Sequence, residues 1–165
     1  TVIEATRNAH YVTGQAGLLG IFFNSKAARQ DLADIDASTD RILELLELRS
    51  VARERSKNLP QGRLRALGMA MALAAHPKLL LLDEPFAGMN SDETDQMIGI
   101  VRRIRESGVT VMLVEHDMPA VMRLSDRIVV INFGKKIAEG VPEEIKTSQA
   151  VIDAYLGEED EELGI

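Results

Sequence analysis

The segment LLLLDEPFAGMN, from Leu79 to Asn90, constrains the fold more than any other stretch of the chain. Leu79–Leu82 is a short, unbroken aliphatic run bounded by an acidic pair and a proline, the pattern of a buried parallel strand. Such a strand delivers its last residues to the carboxyl edge of an open α/β sheet, where these folds place their ligands. Asp83 and Glu84 therefore arrive together at a candidate active-site rim. Asp83 is suited to hold a magnesium ion, and Glu84 to act on a water beside it. The plainer alternative is an acidic strand end followed by a turn, and the residues that follow weigh against it.

A second apolar strand, VTVMLVEHD at Val109–Asp117, also ends in polar residues, with His116 at its tip. A lone histidine is more often structural than catalytic, but this one is expected at the same sheet edge as Glu84, within reach of a phosphate or a water. Between the strands, Ser91–Ser107 fits one crossover helix. Ser91 is the expected N-cap, acidic residues fill the first turn, Arg102, Arg103 and Arg105 come late, and Gly108 closes it. Strand, helix and strand in that order imply a right-handed βαβ unit with parallel pairing.

With these residues in view, the chain resembles the ATP-binding subunit of ABC transporters. LLLLDE at Leu79–Glu84 resembles the Walker B strand with its catalytic glutamate, AGMN at Ala87–Asn90 the D-loop, and His116 the switch histidine. Upstream, NLPQGRLRALGMAMALAAHPK at Asn58–Lys78 is similar to the signature motif and its helix. The stretch EHDMPAVMRLSDRIVVINFGKKIAEGVPEEIK, followed by VIDAYLGEE, is similar to the ATPase subunits of branched-chain amino-acid importers. The resemblance implies an α/β fold of the P-loop NTPase (RecA-like) ABC ATPase kind. A helical subdomain would occupy residues 1–77, a mostly parallel sheet with C-terminal helices residues 78–157, and an acidic tail residues 158–165.

No G-x-x-x-x-G-K-[ST] phosphate loop occurs in these residues. The one Gly-Lys pair, Gly134-Lys135, reads as a hairpin turn. In the family the phosphate loop, the aromatic that stacks on adenine and the Q-loop glutamine all precede the stretch matching Thr1. The expectation is therefore a C-terminal portion of a longer subunit, inactive by itself. The signature positions also depart from the family's common L-S-G-G-Q, reading Leu59, Pro60, Gln61, Gly62 and Arg63. Such a motif sets a helix N-terminus against a γ-phosphate. Pro60 suits a first helical turn and Gly62 a close backbone approach, while the serine hydroxyl is missing and Arg63 replaces glutamine. Met71 stands where the family's helix usually carries arginine. A proline-capped helix that has lost its phosphate role is the alternative.

The resemblance implies ATP and Mg²⁺ as ligands, with Asp83 on the metal, Glu84 and His116 catalytic, and Leu59–Arg63 and Asn90 facing nucleotide across a dimer. It implies a second ATPase subunit head to tail, transmembrane permease subunits and, indirectly, a periplasmic substrate-binding protein, at the cytoplasmic face of the membrane. Two other readings stay open: a non-catalytic or regulatory ABC-like nucleotide-binding module, favoured by Pro60 and Arg63, and a soluble ABC ATPase outside transport. The second rival separates its motifs by long coiled coils, and no sustained heptad stretch appears.

Composition bounds the partners. A net charge of −7 argues against nucleic acid, which requires a concentrated basic surface. No apolar run approaches the roughly 18 residues that span a bilayer. The absence of cysteine excludes disulfides and thiolate metal sites and fits a reducing cytoplasm. Further expected elements are helices at Val2–Val12, Ser25–Leu48, Pro142 onward and Ser148–Leu156, and a strand pair within Asp126–Gly140. Gly14–Asn24 (GQAGLLGIFFN) reads as packing beneath a loop or as a contact for a transporter coupling helix, and Glu158–Glu162 as a solvated tail.

Overall fold

A computed structural model of the chain describes residues 1–10 and 26–154. The Gly14–Asn24 segment, read as packing beneath a loop or as a contact for a coupling helix, and the acidic tail at Glu158–Glu162 lie outside them. The chain forms two compact units, one from Thr1 to Glu115 and a second beginning at His116.

The first unit opens with helix α1, Val2–Ala9, started by a capping box in which Thr1 and Glu4 satisfy each other's backbone amides. Helix α2 spans Lys26–Leu45 and helix α3 spans Gln61–Leu73, with two short 3₁₀ turns, Arg49–Val51 and Ser56–Asn58, between them. All three helices pack on one another. Leu43, Leu46, Leu48, Leu67 and Ala70 are buried between them, and burying each leucine contributes roughly 1.5–3 kcal/mol. An ion pair from Arg7 to Asp36 at 2.7 Å fastens α1 to α2.

Strand β1, Leu79–Asp83, pairs in parallel with strand β2, Thr110–Val114, and helix α4, Ser91–Glu106, connects them. The expected β–α–β unit is therefore present. Met97, Ile98, Val101 and Ile104 recur at helical spacing and are buried on one face of α4. Arg103 ties α4 to the end of α2, donating to the Leu45 carbonyl at 3.0 Å and pairing with Glu47 at 2.8 Å. Ser91 is not the cap of this helix. Asn90 is, because its side chain reaches the third amide while Glu93 returns the bond.

The strands depart from two-sided burial. Leu80 is buried, but Leu79 and Leu81 are 49% and 66% exposed, and Met112 and Val114 on β2 are each 59% exposed. The register sets Leu81 beside Met112, so one face of the ribbon packs inward and the other is an uncovered apolar surface.

The second unit holds helix α5, Met118–Leu124, strands β3, Ile128–Asn132, and β4, Lys135–Gly140, and helix α6, Pro142–Lys146, with residues 149–154 also helical. Strands β3 and β4 are antiparallel and joined by Phe133 and Gly134, both at positive φ, as a two-residue primed hairpin turn requires. The Gly-Lys pair thus lies at a hairpin, as its sequence context indicates, with Gly134 in the turn and Lys135 opening β4. Glu139 pairs with Arg127 and with Lys136, the latter at 2.7 Å, and the Lys136 and Arg127 hydrogen bonds hold its carboxyl below the usual carboxylate range.

Candidate functional site

The site is built where β1 turns out of the sheet. Asp83, the last residue of β1, lies opposite Val114, and the ladder runs one residue further, the Glu84 amide donating to the Val114 carbonyl at 2.9 Å. Glu84 then adopts a left-handed backbone, φ 43°. That conformation costs a non-glycine residue about 1–2 kcal/mol and persists only where the surroundings enforce it. The bond to Val114 holds the preceding side, and two more hold the following one. The Ala87 amide donates to the Glu84 carbonyl at 3.2 Å, and the Phe86 amide donates to Oε1 of Glu115 at 2.8 Å. Pro85 and Phe86 are buried and anchor the turn. The reversal leaves both the Asp83 and Glu84 side chains exposed.

The signature segment enters from α3. Leu59 is half-buried, Pro60, Gln61 and Arg63 are exposed, and no side chain caps the helix. Pro60 is the cap residue, with φ −58° and ψ 157°, and the first turn begins at Gln61, one residue later than a first-turn proline would set it. Gly62 is not held by crowding, since the nearest atom to a Cβ built there is Met89 Cε at 3.9 Å. Arg65 joins this helix to the acidic loop, donating to the Ala87 carbonyl at 3.3 Å. A groove of about 300 Å³ beside it is lined by Arg65, Gly68, Ala72, Leu81, Asp83 and Pro85.

Within the first unit the structure thus brings the Asp83–Met89 loop to the start of α3. Asn90 has its side chain engaged in capping α4, accepting from the Glu93 amide at 3.0 Å. His116 is the first residue of the second unit, followed by Asp117, which caps α5 through the Ala120 amide at 3.0 Å. Arg65 and Glu115 were not singled out by sequence. Nothing in a lone arginine on a helix or a strand-end glutamate announces a partner 22 or 29 residues away.

Among the described residues no group of three or more His, Asp or Glu side chains could cage a metal. Magnesium in nucleotide sites does not require one, since it keeps waters and phosphate oxygens and takes one or two carboxylates. An exposed strand-end Asp83 fits that donor set.

Residues 3–87 match the family described as ABC transporter, and residues 135–161 match the family of the branched-chain amino acid ATP-binding cassette transporter. The chain is 38% identical to the high-affinity branched-chain amino acid transport ATP-binding protein BraF of Pseudomonas aeruginosa, over 96% of this chain and 62% of that protein. It is 32% identical to the lipopolysaccharide export system ATP-binding protein LptB of Escherichia coli, over 94% of this chain and 68% of that one. The fold is similar to the ADP conformation of an ATP-binding cassette of an ABC transporter, with a TM-score of 0.75, 24% identity, and coverage of 95% of this chain and 63% of that chain. The chain therefore spans a little under two thirds of the length of several of the proteins it resembles.

Proposed function

The chain belongs to the ABC transporter family of ATP-binding proteins, and on that premise we propose that it is part of the ATP-hydrolysing subunit of an importer for amino acids, branched-chain ones in particular. The observation that carries the reading is the strand-end corner at Asp83 and Glu84, where a left-handed backbone follows the strand-end aspartate and both residues are exposed. The match of residues 135–161 and the relatives' names support the substrate class.

In this reading two subunits close head to tail over two ATP molecules. Asp83 would hold Mg²⁺, directly or through water, and the ion would supply positive charge to offset that of the phosphates. Glu84 polarises the attacking water. His116 contacts the γ-phosphate, and Asn90 acts across the dimer. Leu59–Arg63 offers the uncapped amides and positive end of α3 to the phosphate held by the other subunit. Residues 1–77 form the helical subdomain, whose part up to about residue 58 meets the membrane-spanning permease partners, residues 78–157 belong to the ATPase core, and a periplasmic substrate-binding protein acts through the permeases. Among the described residues no helix is long and apolar enough to cross a membrane, and the proposed location is peripheral, on its cytoplasmic face.

A second reading, a nucleotide-binding module without turnover, draws on Pro60 and Arg63, which replace the serine and glutamine of the common motif. Reconstitution separates the two. With the permeases, the partner ATPase subunit and the substrate-binding protein in proteoliposomes, the complete subunit is expected to drive leucine uptake that depends on ATP hydrolysis. Nucleotide binding without turnover or uptake would favour the second reading. The 165-residue chain alone carries no phosphate loop and is expected to show no micromolar Mg-ATP binding by calorimetry.

A further inference from the structure

We infer that Glu115 is a positioning residue for Glu84, holding the turn that aims its carboxylate. The inference rests on the proposed role of Glu84 in activating water. Glu115 directly follows β2, and its Oε1 accepts the Phe86 amide at 2.8 Å across 29 residues of sequence. Phe86 is only 4% exposed, so its side chain is fixed in the core, and its amide is taken up by Glu115. Two residues earlier, Glu84 sits at φ 43°.

The logic is one of restraint. A left-handed non-glycine residue relaxes unless both flanking peptides are held. The preceding side is held by the sheet, through the bond from the Glu84 amide to the Val114 carbonyl at 2.9 Å. The following side has the short-range bond from the Ala87 amide to the Glu84 carbonyl, at 3.2 Å, and the charge-assisted bond to Glu115, the shorter of the two. Both β2-side contacts come from adjacent residues, Val114 and Glu115, so the end of one strand fixes the turn leaving the other. Releasing Glu115 frees the Phe86 peptide to rotate and lets the Glu84 backbone leave the left-handed region, carrying its carboxylate with it.

Two substitutions separate reach from charge. Glu115→Gln keeps an oxygen at the same reach and loses the charge; Glu115→Asp keeps the charge and withdraws the oxygen by one methylene. In the complete subunit, Glu115→Asp is expected to lower kcat at least about tenfold with KM for ATP unchanged, since misplacement by about 1 Å can cost on the order of a hundredfold. Glu115→Gln is expected to stay within about threefold of the parent. Amide exchange at Phe86 should accelerate in the Asp variant and stay protected in the Gln variant. The opposite order, with Gln impaired and Asp near normal, overturns the inference, as does unchanged Phe86 exchange in both. Glu84→Gln, run alongside, separates the two claims: parental turnover in that variant defeats the water-activating role, while Phe86 exchange still judges the Glu115 contact.

Discussion

Asn90 and Glu93 close the start of α4 on each other: Asn90 Oδ1 accepts from the Glu93 amide at 3.0 Å, and Glu93 Oε2 accepts from the Asn90 amide at 3.1 Å. Replacing a cap of this kind by alanine costs about 0.5–2 kcal/mol. Asn90→Ala is therefore expected to lower the stability of the first unit by about 1 kcal/mol in urea unfolding, and Asn90→Asp to retain it. A stability equal to the parent in Asn90→Ala would show that the cap is idle. A functional loss in Asn90→Asp at retained stability would point to the role across the dimer.

Gly62 tests the signature segment without disturbing packing. Its Cβ position meets nothing nearer than 3.9 Å, and alanine within a helix is favoured over glycine by roughly 0.5–1 kcal/mol. Gly62→Ala is expected to leave the fold at least as stable while weakening ATP-dependent pairing of complete subunits, read by light scattering with Mg-ATP. Undiminished pairing would remove Gly62 from the nucleotide interface.

Much of the architecture was legible in the sequence because its signals are local and redundant. The apolar runs at Leu79 and Thr110, the charge gradient of α4 and the glycine at position 134 each encode their own element. The misses are non-local or one residue wide. Ser91 and Asn90 are both good caps, and only the direction of the entering chain selects Asn90. Two-sided burial of β1 depends on what lies over the sheet, which the strand's own composition does not state. The left-handed turn at Glu84 has no glycine to mark it, and the Phe86–Glu115 bond follows from strand register.

The uncovered strand face should be adhesive. Leu79, Leu81, Met112 and Val114 form one exposed apolar surface on the β1–β2 ribbon, and surfaces of this kind favour association. The 165-residue chain is expected to self-associate across a concentration series in light scattering, and Leu81→Lys with Met112→Lys to shift it toward monomer. A well-folded monomer at every concentration would contradict this.

His10 gives the first unit a pH dependence. Its ring is buried, 2% exposed, with centroids 5.5 Å from His76. Burial, with His76 beside it, holds its pKa below the usual histidine value, against an opposing hydrogen bond with the Ala74 backbone. The unfolded chain then binds more protons than the folded one as pH falls through about 6.5, so stability is complete above that pH and declines below it. Urea midpoints at pH 7.5 and 5.5 should differ in that sense, and His10→Phe should shrink the difference. An unchanged difference would assign the effect to other groups.

Hydrolysis at the Glu84 corner is the central claim, and single-turnover kinetics of the complete subunit carrying Glu84→Gln tests it most directly. The substitution keeps the shape and removes the basicity of the carboxylate. It is expected to slow ATP hydrolysis on the order of a hundredfold or more, within the range of general-base contributions, while ATP binding stays at the parental level and ATP-bound dimers accumulate. Hydrolysis at the parental rate, with ATP bound as before, would contradict the account.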